Sequence, residues 1–202
     1  MKRLLVLLCL IFGTASSFAV TANELSKQAT AFYSDNNFHK TMELILQINE
    51  NERSAQDWLI LGNLMDEKGE KDNAIFMYQK AIYANPKYYK AYYNLANIYL
   101  NEERYNIAIE NYKEALKLNK ENPYIHYNLA CAYIKIADLK KAKSELLKAV
   151  TIKNDIPEIH YNLAFVYKSL NKQKLAQTYE IIKMYTIIFC NKVKNCMLNK
   201  IN

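Results

Sequence analysis

The sequence predicts an all-α chain of stacked helical hairpins, and three observations lead there. Only three glycines and three prolines occur in 202 residues, too few for the tight turns of sandwiches, barrels and phosphate-binding loops. Apolar residues recur at spacings of three and four, which places them on helical faces. The chain also repeats itself at an offset of 34 residues, aligning Trp58, Tyr92, His126 and His160, then Leu61, Leu95, Leu129 and Leu163. Small Gly62, Ala96, Ala130 and Ala164 form a further column, followed by Met65, Tyr99, Tyr133 and Tyr167. In the second half of each repeat, Ala74, Ala108, Ala142 and Ala176 align, as do Tyr78, Tyr112 and Leu146, and then Ala81, Ala115 and Ala149. Small residues recur where two helices approach closely, and large ones where a side chain fills a neighbour's groove.

The first element is a leader. Lys2 and Arg3 precede an apolar run from Leu4 to Phe12, and small residues follow through Ser17, the three-part order of a secretory signal peptide. The run is too short to span a bilayer, and Cys9 lies inside it after Leu8, a poor lipid acceptor. Residues 1–19 are therefore expected to be a signal peptide, cleaved after Ala19 or after Ala22. The general secretory route would deliver the chain to a periplasmic or extracellular location.

Helical hairpins follow at 22–54, 55–88, 89–122, 123–156 and 157–190. The first is degenerate and offset by 33, with Ala29, Phe32, Thr41, Ile45 and Ile48 in the matching columns. Gly69 and Asn171 sit between paired helices, as residues tolerant of positive φ should. Pro123 and Pro157 open their units at the first helical turn, where a missing N–H costs little. The fifth unit departs after Ala176, where Glu180 and Lys183 replace the expected large residue and alanine. Ile181, Ile182, Tyr185, Ile188 and Phe189 still keep helical spacing, which predicts a capping helix. A basic C-terminal tail is expected over 191–202, with Lys192, Lys194 and Lys200.

Residues 55–88 carry Trp58, Leu61, Gly62, Ala74, Tyr78, Ala81 and Pro86 at the spacing W-x2-L-G-x2-Y, A-x3-F, P, with Met65 in place of the first tyrosine. In this the chain resembles the tetratricopeptide repeat family. The resemblance implies a right-handed α-solenoid of about five tetratricopeptide hairpins and a non-enzymatic role in protein–protein interaction. Envelope or secretion assembly would be a fitting setting for an exported member. The hairpins occupy nearly all the sequence after the leader, so a catalytic domain has nowhere to sit.

In such a solenoid the first helix of each hairpin lines the concave surface. The tetrapeptide Tyr-Asn-Leu-Ala occurs there three times, giving the columns Tyr93, Tyr127, Tyr161 and Asn94, Asn128, Asn162. Leu and Ala belong to packing columns, so Tyr and Asn project elsewhere. Asn63 and Asn97 lie one turn further along. A carboxamide offers donors and acceptors that match an extended peptide backbone, and one per unit makes a ladder. The pattern resembles the asparagine ladder in the repeat region of O-linked N-acetylglucosamine transferase, which implies that these asparagines hold a peptide main chain. Tyrosine contacts would add to that binding.

Other chemistries find little support. His39, His126 and His160 are the only histidines, and none stands with Cys or carboxylate at metal-ligand spacing. Neither a metal nor another cofactor is expected. Cys131 reads as a buried structural thiol, and Cys190 with Cys196 is the one local disulfide pairing. The formal charge of +7 hides an asymmetry: residues 20–122 carry 12 basic and 15 acidic groups, residues 123–202 carry 13 and 5. The basic half supports an alternative, peripheral attachment through the C-terminal helix to an anionic membrane or polyanion. Nucleic acid is a poor partner, since Arg53 and Arg104 are the only arginines after the leader.

Overall fold

The computed structural model describes residues 20–198, so the leader expected at 1–19 lies outside the described residues. Among those residues there are ten α-helices, one 3-10 turn and no strand. The helices pair as α1 (Ala22–Ser34) with α2 (Phe38–Gln47), α3 (Ala55–Glu67) with α4 (Lys71–Ala84), and α5 (Tyr89–Asn101) with α6 (Tyr105–Leu118). Then come α7 (Pro123–Lys135) with α8 (Leu139–Ile152), and α9 (Pro157–Ser169) with α10 (Gln173–Leu198). First helices touch directly at α1–α3, α5–α7 and α7–α9, a hydrogen bond from Asn94 to Asn63 joins α5 to α3, and the hairpins stack into the expected right-handed α-solenoid.

Local chemistry fixes the helix ends. Side chains of Thr21, Asn37, Asn122 and Asp138 accept hydrogen bonds from first-turn N–H groups, satisfying donors that a helix leaves open. Ser54 and Asp57 form a reciprocal capping box on α3. Every first helix ends the same way, with one residue at positive φ: Asn36, Gly69, Glu103, Ala137 and Asn171. The next residue's N–H reaches back five positions, as in Glu70 to the Met65 carbonyl (2.9 Å) and Asp138 to that of Tyr133 (2.9 Å). This is the Schellman closure. Gly69 and Asn171 fit the sequence expectation; Glu103 and Ala137 take the same strained conformation without suitable chemistry.

The core is assembled from the repeat columns. Ala74, Ala81, Ala108, Ala115, Ala142 and Ala149 are fully buried, with Tyr78, Tyr112 and Leu146 between them. A Cβ on Gly62 would meet Tyr78 Cε1 at 2.5 Å, so this member of the small column has to be glycine for that ring position.

The fifth unit differs from expectation. Tyr179 on α10 stacks against Tyr167 (5.4 Å) and His160 (6.0 Å), so the first turns do cap α9. Beyond Glu180, however, Ile181, Met184 and Tyr185 are 53%, 58% and 67% exposed, while the side chains of Ile188 and Phe189 lie outside the described residues. The helix also runs to Leu198 without a break at 190, because no glycine or proline follows Pro157 to stop it. The expected tail is therefore helical through Leu198. The side chains of Cys190 and Cys196, the pairing expected from the sequence, lie outside the described residues.

Candidate peptide-binding face

The first helices α3, α5, α7 and α9 bring the predicted asparagines and tyrosines together on one face. The asparagines, however, are already engaged with one another. Asn94 Nδ2 donates to Asn63 Oδ1 (2.8 Å), which also accepts from the Tyr78 hydroxyl (2.9 Å). Asn63 Nδ2 in turn donates to the Tyr33 hydroxyl (3.1 Å). One repeat on, Asn128 Nδ2 donates to Asn97 Oδ1 (2.9 Å) and to the Tyr93 hydroxyl (3.1 Å), while Tyr112 donates to Asn97 Oδ1 (2.6 Å). At the third step Asn162 Nδ2 approaches Cys131 Sγ (3.4 Å).

Each rung therefore joins a unit to the one before it. The ladder read from the sequence exists, but its N–H groups point along the solenoid, into the neighbouring repeat. What remains outward are the Asn94 and Asn128 Oδ1 atoms, which accept no hydrogen bond among the described residues. Tyr93 and Tyr127 are half-buried, and Tyr93 packs 6.1 Å from Tyr112.

Burial governs the titration of this face. It pushes the Tyr78, Tyr112 and Tyr127 hydroxyls far above their ordinary value, which keeps them protonated and able to donate. Burial likewise raises the Cys131 thiol, leaving it protonated and a poor nucleophile.

At the α9 end the face opens. Tyr161 is 51% and Phe165 45% exposed, and Lys183 Nζ sits 4.6 Å over the Tyr161 ring. Tyr161 and Phe165, together with Lys168, Gln177 and Glu180, line a cavity of about 230 Å3. This is where the predicted tyrosine column is most accessible. Phe165 was not among the predicted residues, although it occupies the column of Asn63, Asn97 and Cys131 and could have been found there.

Two polar contacts were also missed. Asp57, 1% exposed, accepts from Ser26 Oγ (2.6 Å) across the first repeat boundary and from the Ser54 backbone N–H (2.8 Å); the Ser54-x-x-Asp57 spacing was its only signal. His126 Nδ1 lies 2.6 Å from Glu145 Oε2, and Nε2 lies 3.0 Å from the Lys120 carbonyl oxygen. Burial of Glu145 raises its carboxyl, but hydrogen bonds from His126 and Lys148 outweigh this and hold it below its ordinary value. His160 repeats the carbonyl contact, to Asn154 (2.7 Å), with Tyr179 in the position of Glu145. No cluster of His, Cys, Asp or Glu among the described residues could hold a metal ion.

Five stacked hairpins with an inter-repeat asparagine ladder define a helical-repeat protein of the tetratricopeptide type. The family model of the tetratricopeptide repeat protein 21 C-terminal ARM domain matches residues 15–162, and the chain belongs to that family. No curated protein matches the sequence. Solved structures of MamA are similar in fold. MamA 41-end from Desulfovibrio magneticus RS-1 superposes with a TM-score of 0.72 at 16% identity, over 83% of this chain and 97% of that one. The MamA RS-1 ArsTM double mutant gives 0.75 at 16% identity, over 86% and 99%, and MamA MSR-1 gives 0.70 at 14%, over 84% and 98%.

Proposed function

We propose that this chain is a non-enzymatic, exported interaction scaffold that holds an extended segment or partner subunit on the face of its first helices, in envelope or secretion assembly. The observation that carries this reading is the run of aromatic and carboxamide groups along that face, ending in exposed Tyr161 and Phe165. The engaged ladder sets the concave wall rigidly, and the outward Asn94 and Asn128 oxygens offer one acceptor per unit to a peptide N–H. Rigid aromatic anchors contribute binding at little entropic cost. Because the asparagines also hold repeats together, the test uses Tyr161→Ala with Phe165→Ala in a peptide array. Loss of binding with an unchanged melting temperature supports the reading; unchanged binding removes it.

Export rests on the leader pattern and on one feature of α1. Thr21 Oγ1 accepts from the Glu24 N–H (3.2 Å) at the start of that helix. Cleavage after Ala19 preserves this cap, whereas cleavage after Ala22 would remove it. N-terminal sequencing of the chain from the exported fraction should begin at Val20.

A second reading, attachment to an anionic membrane surface, is favoured by the exposed Ile181, Met184 and Tyr185 on α10. No described helix is long and apolar enough to cross a membrane, so this contact would be peripheral. It requires salt-sensitive vesicle binding that disappears on deletion of residues 181–202.

A further inference from the structure

The surface opposite the asparagine ladder carries a groove of its own. Helices α6 and α8, second helices of neighbouring units, form the banks of an open cavity of about 910 Å3. Its floor is apolar, made by half-buried Leu116 and Leu147 with buried Leu129 between them. Lys113, Lys117 and Lys120 stand along one bank and Lys148 on the other.

Charge there is unbalanced. Of the two acids lining the cavity, Glu145 is taken up by His126 (2.6 Å) and Lys148 (2.8 Å). Lys117 is paired with Glu114 beside the groove (2.6 Å), Glu121 alone remains among the lining acids, and Lys113 and Lys120 have no acidic partner among the described residues. A corresponding groove beside α2, about 670 Å3, presents Met42 and Leu46 with Glu43, Glu67 and Lys68. The two outer grooves thus share an apolar floor, and only the α6–α8 groove is lined by more lysines than acids.

We propose that the α6–α8 groove docks an amphipathic helix of a protein partner, its apolar stripe on Leu116, Leu129 and Leu147 and acidic residues on the flank that faces α6. Two helices side by side leave a trough into which the ridge of a third helix packs. The bank spacing supports a helical occupant: Lys113 and Lys117 are at i and i+4 on α6, with Lys120 just past its C-terminal end, and the first two meet acids placed at the same spacing. A recessed apolar floor with Lys113 and Lys120 uncompensated along one side suits a helical ridge with an acidic flank better than a flat anionic surface. The proposal is independent of the function assigned above to the opposite face.

The test is fluorescence anisotropy with a labelled synthetic helix about four turns long, carrying leucines at i, i+3, i+4 and i+7 and glutamates along one flank of that stripe. The same peptide with lysines replacing the glutamates is the control. The acidic peptide should bind, more weakly at high salt, and the basic one should not. Lys113→Glu with Lys117→Glu should weaken binding about tenfold or more. Ser144→Trp, at an exposed position lining the groove, should block it by filling the space. Circular dichroism establishes that both variants are folded, and Tyr161→Ala should leave binding unchanged. No binding of the acidic peptide, equal binding of the two peptides, or binding unaffected by either variant overturns the proposal. So does groove-dependent capture by phosphatidylglycerol vesicles without peptide binding.

Discussion

Asn97 Oδ1 accepts two hydrogen bonds at once, from Asn128 Nδ2 in the next repeat (2.9 Å) and from the Tyr112 hydroxyl in its own (2.6 Å). The relationship makes one carboxamide both a hairpin lock and a repeat lock. Asn97→Ala should leave the buried Tyr112 hydroxyl without a partner, at a cost of ~1–3 kcal/mol. Urea denaturation checks this, and Asn97→Asp, which keeps an acceptor, should cost less. A role confined to ligand contact would leave stability unchanged.

Ala137 holds a φ of 60° at the end of α7. A side chain there costs roughly 1–2 kcal/mol, of which glycine's larger unfolded-state entropy returns about 0.4–1. Ala137→Gly should therefore raise stability by ~0.5–1 kcal/mol, measured by thermal or chemical unfolding. Gly69→Ala should lower it, since Gly69 has a φ of 78°.

Gly62 faces the Tyr78 ring with no room for a Cβ. Gly62→Leu overpacks that contact and should cost ~1–3 kcal/mol in a denaturation titration. Gly62→Ala should cost less, because the equivalent Ala96 coexists with Tyr112.

Tyr78 and Tyr112 are buried, and their hydroxyls ionise far above the ordinary value of 10.0. Their folded values are raised, so the stability they contribute is intact below pH 10 and lost as pH climbs above it. Tyrosinate absorbance should rise in two stages, the buried pair ionising last and only together with loss of helical circular dichroism. A single stage with all tyrosines titrating before unfolding would contradict this.

The repeat columns made the fold legible from the sequence, because each buried alanine and large residue recurs one unit later with the same packing duty. The asparagine column was visible for the same reason. Its partners were not: a period of 34 aligns Asn94 with Asn128 and Asn162, whereas the bonds run between residues 31 apart, across columns. Only the stacking of one hairpin on the next shows that. The fate of α10 was hidden differently. Its apolar spacing reads as a packed helix, yet packing needs a neighbour on that side, and Ile181, Met184 and Tyr185 are left exposed.

The most direct test places a photocrosslinking side chain at Tyr161, at the open end of the first-helix face, and compares it with the same group at Tyr83, 87% exposed on α4. Crosslinking in the native compartment followed by mass spectrometry should give a defined protein adduct from Tyr161 and none from Tyr83. No adduct from Tyr161, or the same adducts from both positions, would contradict a binding face there.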